Sequence, residues 1–147
     1  MLKRVVNFIR YNKEKRLTVK AYLYAAYFRI CILIDNRHKK KKLEGMLGER
    51  GKESSYEMNP EELHMAKVVA AHVNRIATHT PWESKCMVRA MTAQKLLEEM
   101  KIETTLYLGV GKNRDGSMRA HAWLRYGKYC VTGEGSGECR VVAAFKK

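Results

Sequence analysis

A cysteine and a histidine in this 147-residue chain stand where a nucleophile and its base would stand. Cys86 lies in Pro81-Trp82-Glu83-Ser84-Lys85-Cys86-Met87-Val88-Arg89-Ala90, which reads as a loop entering a helix. His121 lies in Arg119-Ala120-His121-Ala122-Trp123-Leu124, which reads as a strand. The thiolate is the reactive form of cysteine, and the free N–H groups of a helix's first turn stabilise it. An imidazole within reach takes the thiol proton and later protonates an amine leaving group. The backbone N–H of Cys86 is a natural donor to the oxyanion. Taken singly, a buried free cysteine and a satisfied strand histidine are the commoner readings. The pairing is what gives the chemical reading its force.

A third group should orient His121. It is expected on the strand after Gly127, near Val131 or Thr132, and no acid stands there. Glu134, in the loop Gly133-Glu134-Gly135-Ser136-Gly137, is the nearest carboxylate; Asp115 and Glu138 are more remote. Cys86, His121 and Glu134 are therefore the candidate catalytic set. Glu134 as a solvated loop acid, a backbone carbonyl holding the imidazole, or a simple dyad are the alternatives. His72 and His79 are seven residues apart with no further ligand at suitable spacing, so they read as solvated helix residues and no metal is expected. The Gly133-x-Gly135-x-Gly137 run precedes a strand instead of following one, which argues against a nucleotide; no cofactor is expected.

The elements that must position these residues follow from periodicity. Residues 1–34 look helical. Asp35 to Lys42 ends in four lysines that repel one another, and residues 45–59 read as a linker or mobile loop. Asn59-Pro60-Glu61-Glu62 opens a helix whose apolar stripe is Leu63, Ala66, Val69, Ala70, Val73, Ile76 and Ala77. A second helix runs from a Ser84 N-cap to about Met100, with Met87, Ala90, Met91, Gln94 and Leu97 facing inward. From Glu103 the period becomes two. Strands are expected over 105–110, 118–126, 128–132 and 139–145, joined as a meander. On the second strand His121, Trp123 and Arg125 share one face, and the thiol meets the imidazole if that face lies against the start of the Cys86 helix. The layout is α+β, with helices packed on a small antiparallel sheet.

Size and charge frame this core. The length suits one domain able to bury a core without disulfides. Residues 1–55 carry 15 Lys/Arg against 5 Asp/Glu, and residues 56–147 carry 14 against 10, so the basic character belongs to the N-terminal third. Such a surface favours acidic peptide, acidic protein, nucleic acid or an anionic membrane face. Tyr22, Tyr24, Tyr27 and Phe28 lie in a dense apolar run suited to packing more than to base stacking, so nucleic acid is not expected. That run, Ala21 to Ile34, is shorter than a bilayer span and is interrupted by Arg29. It reads as a buried or interface helix, with peripheral membrane contact as an alternative. No secretory signal is visible and no cysteines are spaced C-x-x-C, so a reducing cytoplasm is expected.

Thr80 to Leu97 resembles the PW-x-x-x-C-L-x-R-A-L-x-x-Q-x-L-L signature of lasso-peptide leader peptidases, small members of the transglutaminase-like, papain-fold superfamily. The resemblance continues through residues 102–110, Arg119 to Leu124, Val131-Thr132-Gly133 and Val141 to Phe145, in register over roughly residues 60–147. It implies a transglutaminase-like, papain-like core over 56–147, with 1–55 as a basic helical docking region containing a loop. It implies a cysteine peptidase that removes the leader of a ribosomally made precursor, before a separate ATP-using cyclase closes the core peptide. Cys86 matches the family nucleophile and His121 the family base. The family's Asp position falls near Val131 or Thr132, where this chain departs from the pattern. The resemblance further implies a separate small leader-recognition protein as partner. Acyl transfer to an amine by the same pair, or a non-catalytic basic binding module of papain-like fold, are the competing functions.

Overall fold

The computed structural model describes residues 2–11, 14–38, 42–55, 57–80, 85–133 and 139–147. Five helices, α1 (Leu2–Tyr11), α2 (Lys15–His38), α3 (Lys42–Leu47), α4 (Pro60–Ala77) and α5 (Cys86–Glu99), combine with five strands. The strands are β1 (Glu49–Arg50), β2 (Thr105–Lys112), β3 (Met118–Tyr126), β4 (Tyr129–Thr132) and β5 (Arg140–Lys146). They form one antiparallel sheet in the order β1-β5-β2-β3-β4. The layout is α+β, as the switch from helical to alternating periodicity implies.

α5 is the centre of the molecule. Val88, Ala90, Met91, Thr92, Ala93, Gln94, Leu96 and Leu97 are buried around almost its whole circumference, beyond the single stripe the sequence suggests. α2 and α4 pack on it from the helical side, and β3 and β4 from the sheet. Two of its buried polar groups are satisfied, one locally and one across the fold: Thr92 Oγ1 donates to the Val88 carbonyl at 2.7 Å, and Gln94 Nε2 to the Leu47 carbonyl at 2.9 Å.

α4 follows its capping signals. The Asn59 side chain accepts from the Glu61 N–H at 2.9 Å, Pro60 occupies the first turn, and Glu61 and Glu62 sit at the positive end of the helix dipole. Ala66, Val69, Ala70, Val73 and Ile76 are buried as their spacing predicts. The Tyr126 hydroxyl anchors this end to β3, accepting from the Asn59 N–H at 2.9 Å and donating to Glu62 Oε2 at 2.5 Å.

Three expectations are corrected. The last strand does not extend a meander. Only β2, β3 and β4 are joined that way, and β5 returns to the free edge of β2, pairing Phe145 with Leu106. Burial of Phe145 in the shared core selects that edge, a long-range choice that alternation does not encode. The glycine-containing stretch 45–59 holds more than a loop. Leu47 is buried, and β1 pairs with the end of β5. Gly48, at φ +111°, makes this possible: a Cβ there would lie 2.2 Å from the Lys146 carbonyl oxygen.

The third correction is His72, which is buried and not solvated. α2 packs on α4 and brings Thr18 Oγ1 to 3.2 Å of His72 Nδ1 and Glu14 Oε2 to 3.1 Å of Nε2. Removing the ring takes away both hydrogen bonds and leaves a void between α2 and α4, so His72→Ala is expected to cost about 1–3 kcal/mol. A shift in the urea midpoint without change in slope checks this. The outer end of the α2–α5 contact is held by Glu99, which takes a hydrogen bond from Tyr24 and pairs with Lys20 at 2.7 Å. The Glu99 carboxylate beside it pushes the Tyr24 phenol up to about 12.

Candidate active site

Cys86 is the first residue of α5. Lys85 is the capping residue, with extended backbone at φ −69°, ψ 167°, and its side chain makes no capping bond. The expected cap, Ser84, lies outside the described residues together with Pro81, Trp82 and Glu83. The first intrahelical bond runs from the Arg89 N–H to the Lys85 carbonyl at 3.1 Å. The N–H groups of Cys86, Met87 and Val88 therefore precede the helical ladder and, among the described residues, have no intrahelical acceptor, which suits them to donate toward charge developing at the helix end. Cys86 itself is half-buried against the core.

His121 stands on β3 with Nε2 3.3 Å from the Gly133 carbonyl oxygen. A carbonyl only accepts, so this contact puts the proton on Nε2 and leaves the lone pair on Nδ1. The ring also stacks on Trp123, with centroids 5.8 Å apart, and Trp123 stacks in turn on Tyr107 at 5.5 Å. The body of α5 shares its core with Ala122, Leu124 and Tyr126, the alternate positions of β3, so the His121–Trp123 face does not lie beneath the helix. His121 nevertheless reaches the helix's starting end, because it and Cys86 line the same cavity.

That cavity has a volume of about 720 Å³ and is walled by three elements besides β3. α4 contributes Lys67, Ala70, Ala71 and Asn74; the start of α5 contributes Lys85, Cys86 and Arg89; the β4 segment contributes Tyr129 to Gly133. The α4 residues were legible in principle, since Lys67, Ala71 and Asn74 fall on one helical face beside the buried stripe. The ammonium of Lys67 lies 6.0 Å over the Tyr129 ring, fixing one corner by a cation–π contact. Among the described residues the lining carries Lys67, Lys85 and Arg89 and no acid, so the cavity is basic where the N-terminus of α5 opens into it.

Glu134, the third member expected from sequence, lies outside the described residues, as does Glu138. Asp115 does not line the cavity. It accepts from the Ser117 N–H and hydroxyl at 2.9 and 2.6 Å in the β2–β3 turn, and the Ser117 bonds hold its carboxyl below the usual range. Of the orienting groups weighed from sequence, the described residues place a backbone carbonyl, that of Gly133, on the imidazole. Cys130 also lines the cavity, a position that its alternating strand context did not reveal. Its thiol donates to the Thr132 carbonyl at 3.1 Å. His79 caps the end of α4 through the Arg75 carbonyl at 2.9 Å. Among the described residues no group of His, Cys, Asp or Glu could hold a metal ion.

Gly133 sits at φ +86°, and a Cβ added there would meet Trp123 Cβ at 2.4 Å and the Ala122 carbonyl oxygen at 2.9 Å. Gly133→Ala should therefore cost about 1–3 kcal/mol through left-handed strain and forced backbone movement. It should also pull the carbonyl from His121. The check is a lower denaturation midpoint together with loss of the hydrogen-bonded Nε2–H proton resonance.

No curated protein and no solved structure matches the chain. Residues 32–145 do match a family, described as the transglutaminase-like superfamily. The match runs from within α2 into β5 and so takes in both the helix that begins at Cys86 and the strand that carries His121. That span takes in most of the helical layer and nearly the whole sheet: the chain belongs to the transglutaminase-like superfamily.

Proposed function

We propose that this protein is a cysteine peptidase that removes the leader segment from a ribosomally made lasso-peptide precursor. The observation that carries the catalytic part is the shared cavity: the cysteine that opens α5 and His121 both line it, and the Gly133 carbonyl takes the Nε2 side of the ring, leaving Nδ1 for the thiol. The superfamily, which holds cysteine proteases and transglutaminases, supports the same class of chemistry. The leader-peptidase assignment rests on the resemblance of residues 80–97 and 119–124 to that family's signature.

In this reading His121 Nδ1 takes the proton from Cys86 Sγ, and the thiolate attacks the carbonyl carbon of the scissile bond. The oxyanion forms against the N–H of Cys86 at the helix end. Collapse breaks the C–N bond, the imidazolium gives its proton to the departing amine, and the core peptide leaves with a free N-terminus. The leader remains as a thioester on Cys86. A water molecule, deprotonated by His121, attacks the thioester; the C–S bond breaks and the proton returns to the thiolate. Acyl transfer differs only in that an amine replaces this water, and the superfamily contains that chemistry too. Glu134 contributes orientation of His121 at most, and Glu134→Ala should slow processing by about tenfold or less.

A separate leader-recognition protein supplies the substrate, and a separate cyclase consumes the freed core peptide. The test is incubation of the protein and the recognition protein with the precursor, followed by mass spectrometry. Leader and core peptides cut at one site support the reading. An intact precursor under conditions where the recognition protein binds its leader contradicts it.

A further inference from the structure

Six large apolar side chains stand exposed on one helix. On α2, Val19, Leu23, Tyr27, Ile30, Leu33 and Ile34 are between 39% and 65% exposed. At about 100° per residue they fill an arc of roughly 120°. The opposite arc, with Thr18, Ala21, Ala25 and Phe28, is buried in the molecule. This outer face is far more apolar than a solvated surface helix requires.

The charges around it have a pattern. Lys15 and Arg16 lie at the N-terminal end of the apolar arc; Arg29 falls on one flank, and Lys20, paired with Glu99, on the other. α1 packs on α2 and adds exposed Lys3, Arg4 and Arg10 beside exposed Leu2 and Val6. α1 contains no acid. Glu14, between the helices, is held by His72. An apolar face edged by cations whose stems can reach outward is the pattern of a helix lying in a lipid interface. Residues 15–35 are long and apolar enough to cross a bilayer by length and composition alone. The burial of Ala21, Ala25 and Phe28 instead holds α2 against the domain and leaves only its outer face to meet a bilayer. A second copy of the chain is a poorer occupant, since it would set the same cations against each other, and Glu99, the acid at the edge of the face, is already paired with Lys20.

We propose that the outer face of α2, with α1 beside it, seats the protein on an anionic bilayer surface. The apolar arc enters the headgroup boundary and the flanking cations meet lipid phosphates. This docking is independent of the peptidase reading.

Sedimentation of the full chain with phosphatidylcholine vesicles, with and without phosphatidylglycerol, tests it. Partition onto the anionic vesicles should be at least about tenfold stronger and should fall as salt rises. The double variant Leu23→Gln, Ile30→Gln should lower it at least about tenfold with an unchanged circular dichroism spectrum, because both side chains are exposed. The triple variant Arg4→Gln, Lys15→Gln, Arg16→Gln should lose the preference for anionic vesicles. A chain that stays in the supernatant with both vesicle types overturns the proposal, as does binding that the double variant leaves unchanged. A dimer, or a protein complex, that the double variant breaks while vesicles are ignored assigns the face to protein and overturns it equally.

Discussion

Cys86→Ala should abolish leader removal, by about 10⁴-fold or more, while the protein stays folded. The side chain is half-buried at the first turn of α5, so the change removes one sulfur from a cavity wall and little from the core. The other cysteines are the controls. Cys31 is half-buried on α2, and Cys139 accepts from Arg119 at 3.6 Å just before β5. Cys130 is the demanding control because it shares the cavity. It lies on a strand, with its thiol turned to the Thr132 carbonyl, so Cys130→Ala should keep activity within about tenfold. Rates of precursor cleavage by the four single variants, with circular dichroism to confirm folding, check the set. A verified Cys86→Ala protein that cleaves at full rate would end the cysteine-peptidase account.

His121→Ala should be nearly as damaging, within about tenfold of Cys86→Ala, because nucleophile and base act as a unit. The double variant should then be little worse than either single one. His121→Gln is the sharper substitution, since its amide can keep a bond to the Gly133 carbonyl while offering no basic nitrogen. It should leave stability near wild type and activity near that of His121→Ala. Recovery of more than a few per cent of activity in His121→Gln would show that the ring positions the site without acting as its base.

The chemistry-bearing residues were legible because each advertises itself locally. Cys86 opens an apolar helical pattern five residues after Pro81 in sequence, and His121 sits in an alternating strand. Caps and strand periods are short-range effects, so α4, β2 and β3 fall where Asn59-Pro60 and the alternation after Glu103 put them. What the sequence concealed is long-range. Nothing within β5 says that Phe145 pairs with Leu106 on the far edge of β2, nor that Leu47 anchors a segment rich in glycine. His72 looks like a polar residue on a helix until α2 lies across it. Residue types leave a backbone carbonyl open as the group on His121 but cannot say which one, and the fold supplies that of Gly133. Strand alternation fixed which residues share a face with His121 but not which face the body of α5 covers. The helix packs over Ala122 and Leu124, and the imidazole meets the thiol's cavity at the helix end.

The central claim is that Cys86 and His121 hydrolyse a peptide bond through a thioester. Its most direct test is a single turnover of the precursor, with its leader-binding partner, in water enriched in heavy oxygen. The account predicts a leader whose new C-terminal carboxylate carries one heavy oxygen, and a core peptide with a free N-terminus. A short reaction time should show the leader's mass added to the peptide containing Cys86. A leader released as an amide would transfer the account to acyl exchange. Cleavage with no adduct on Cys86, undiminished in the Cys86→Ala protein, would contradict it outright.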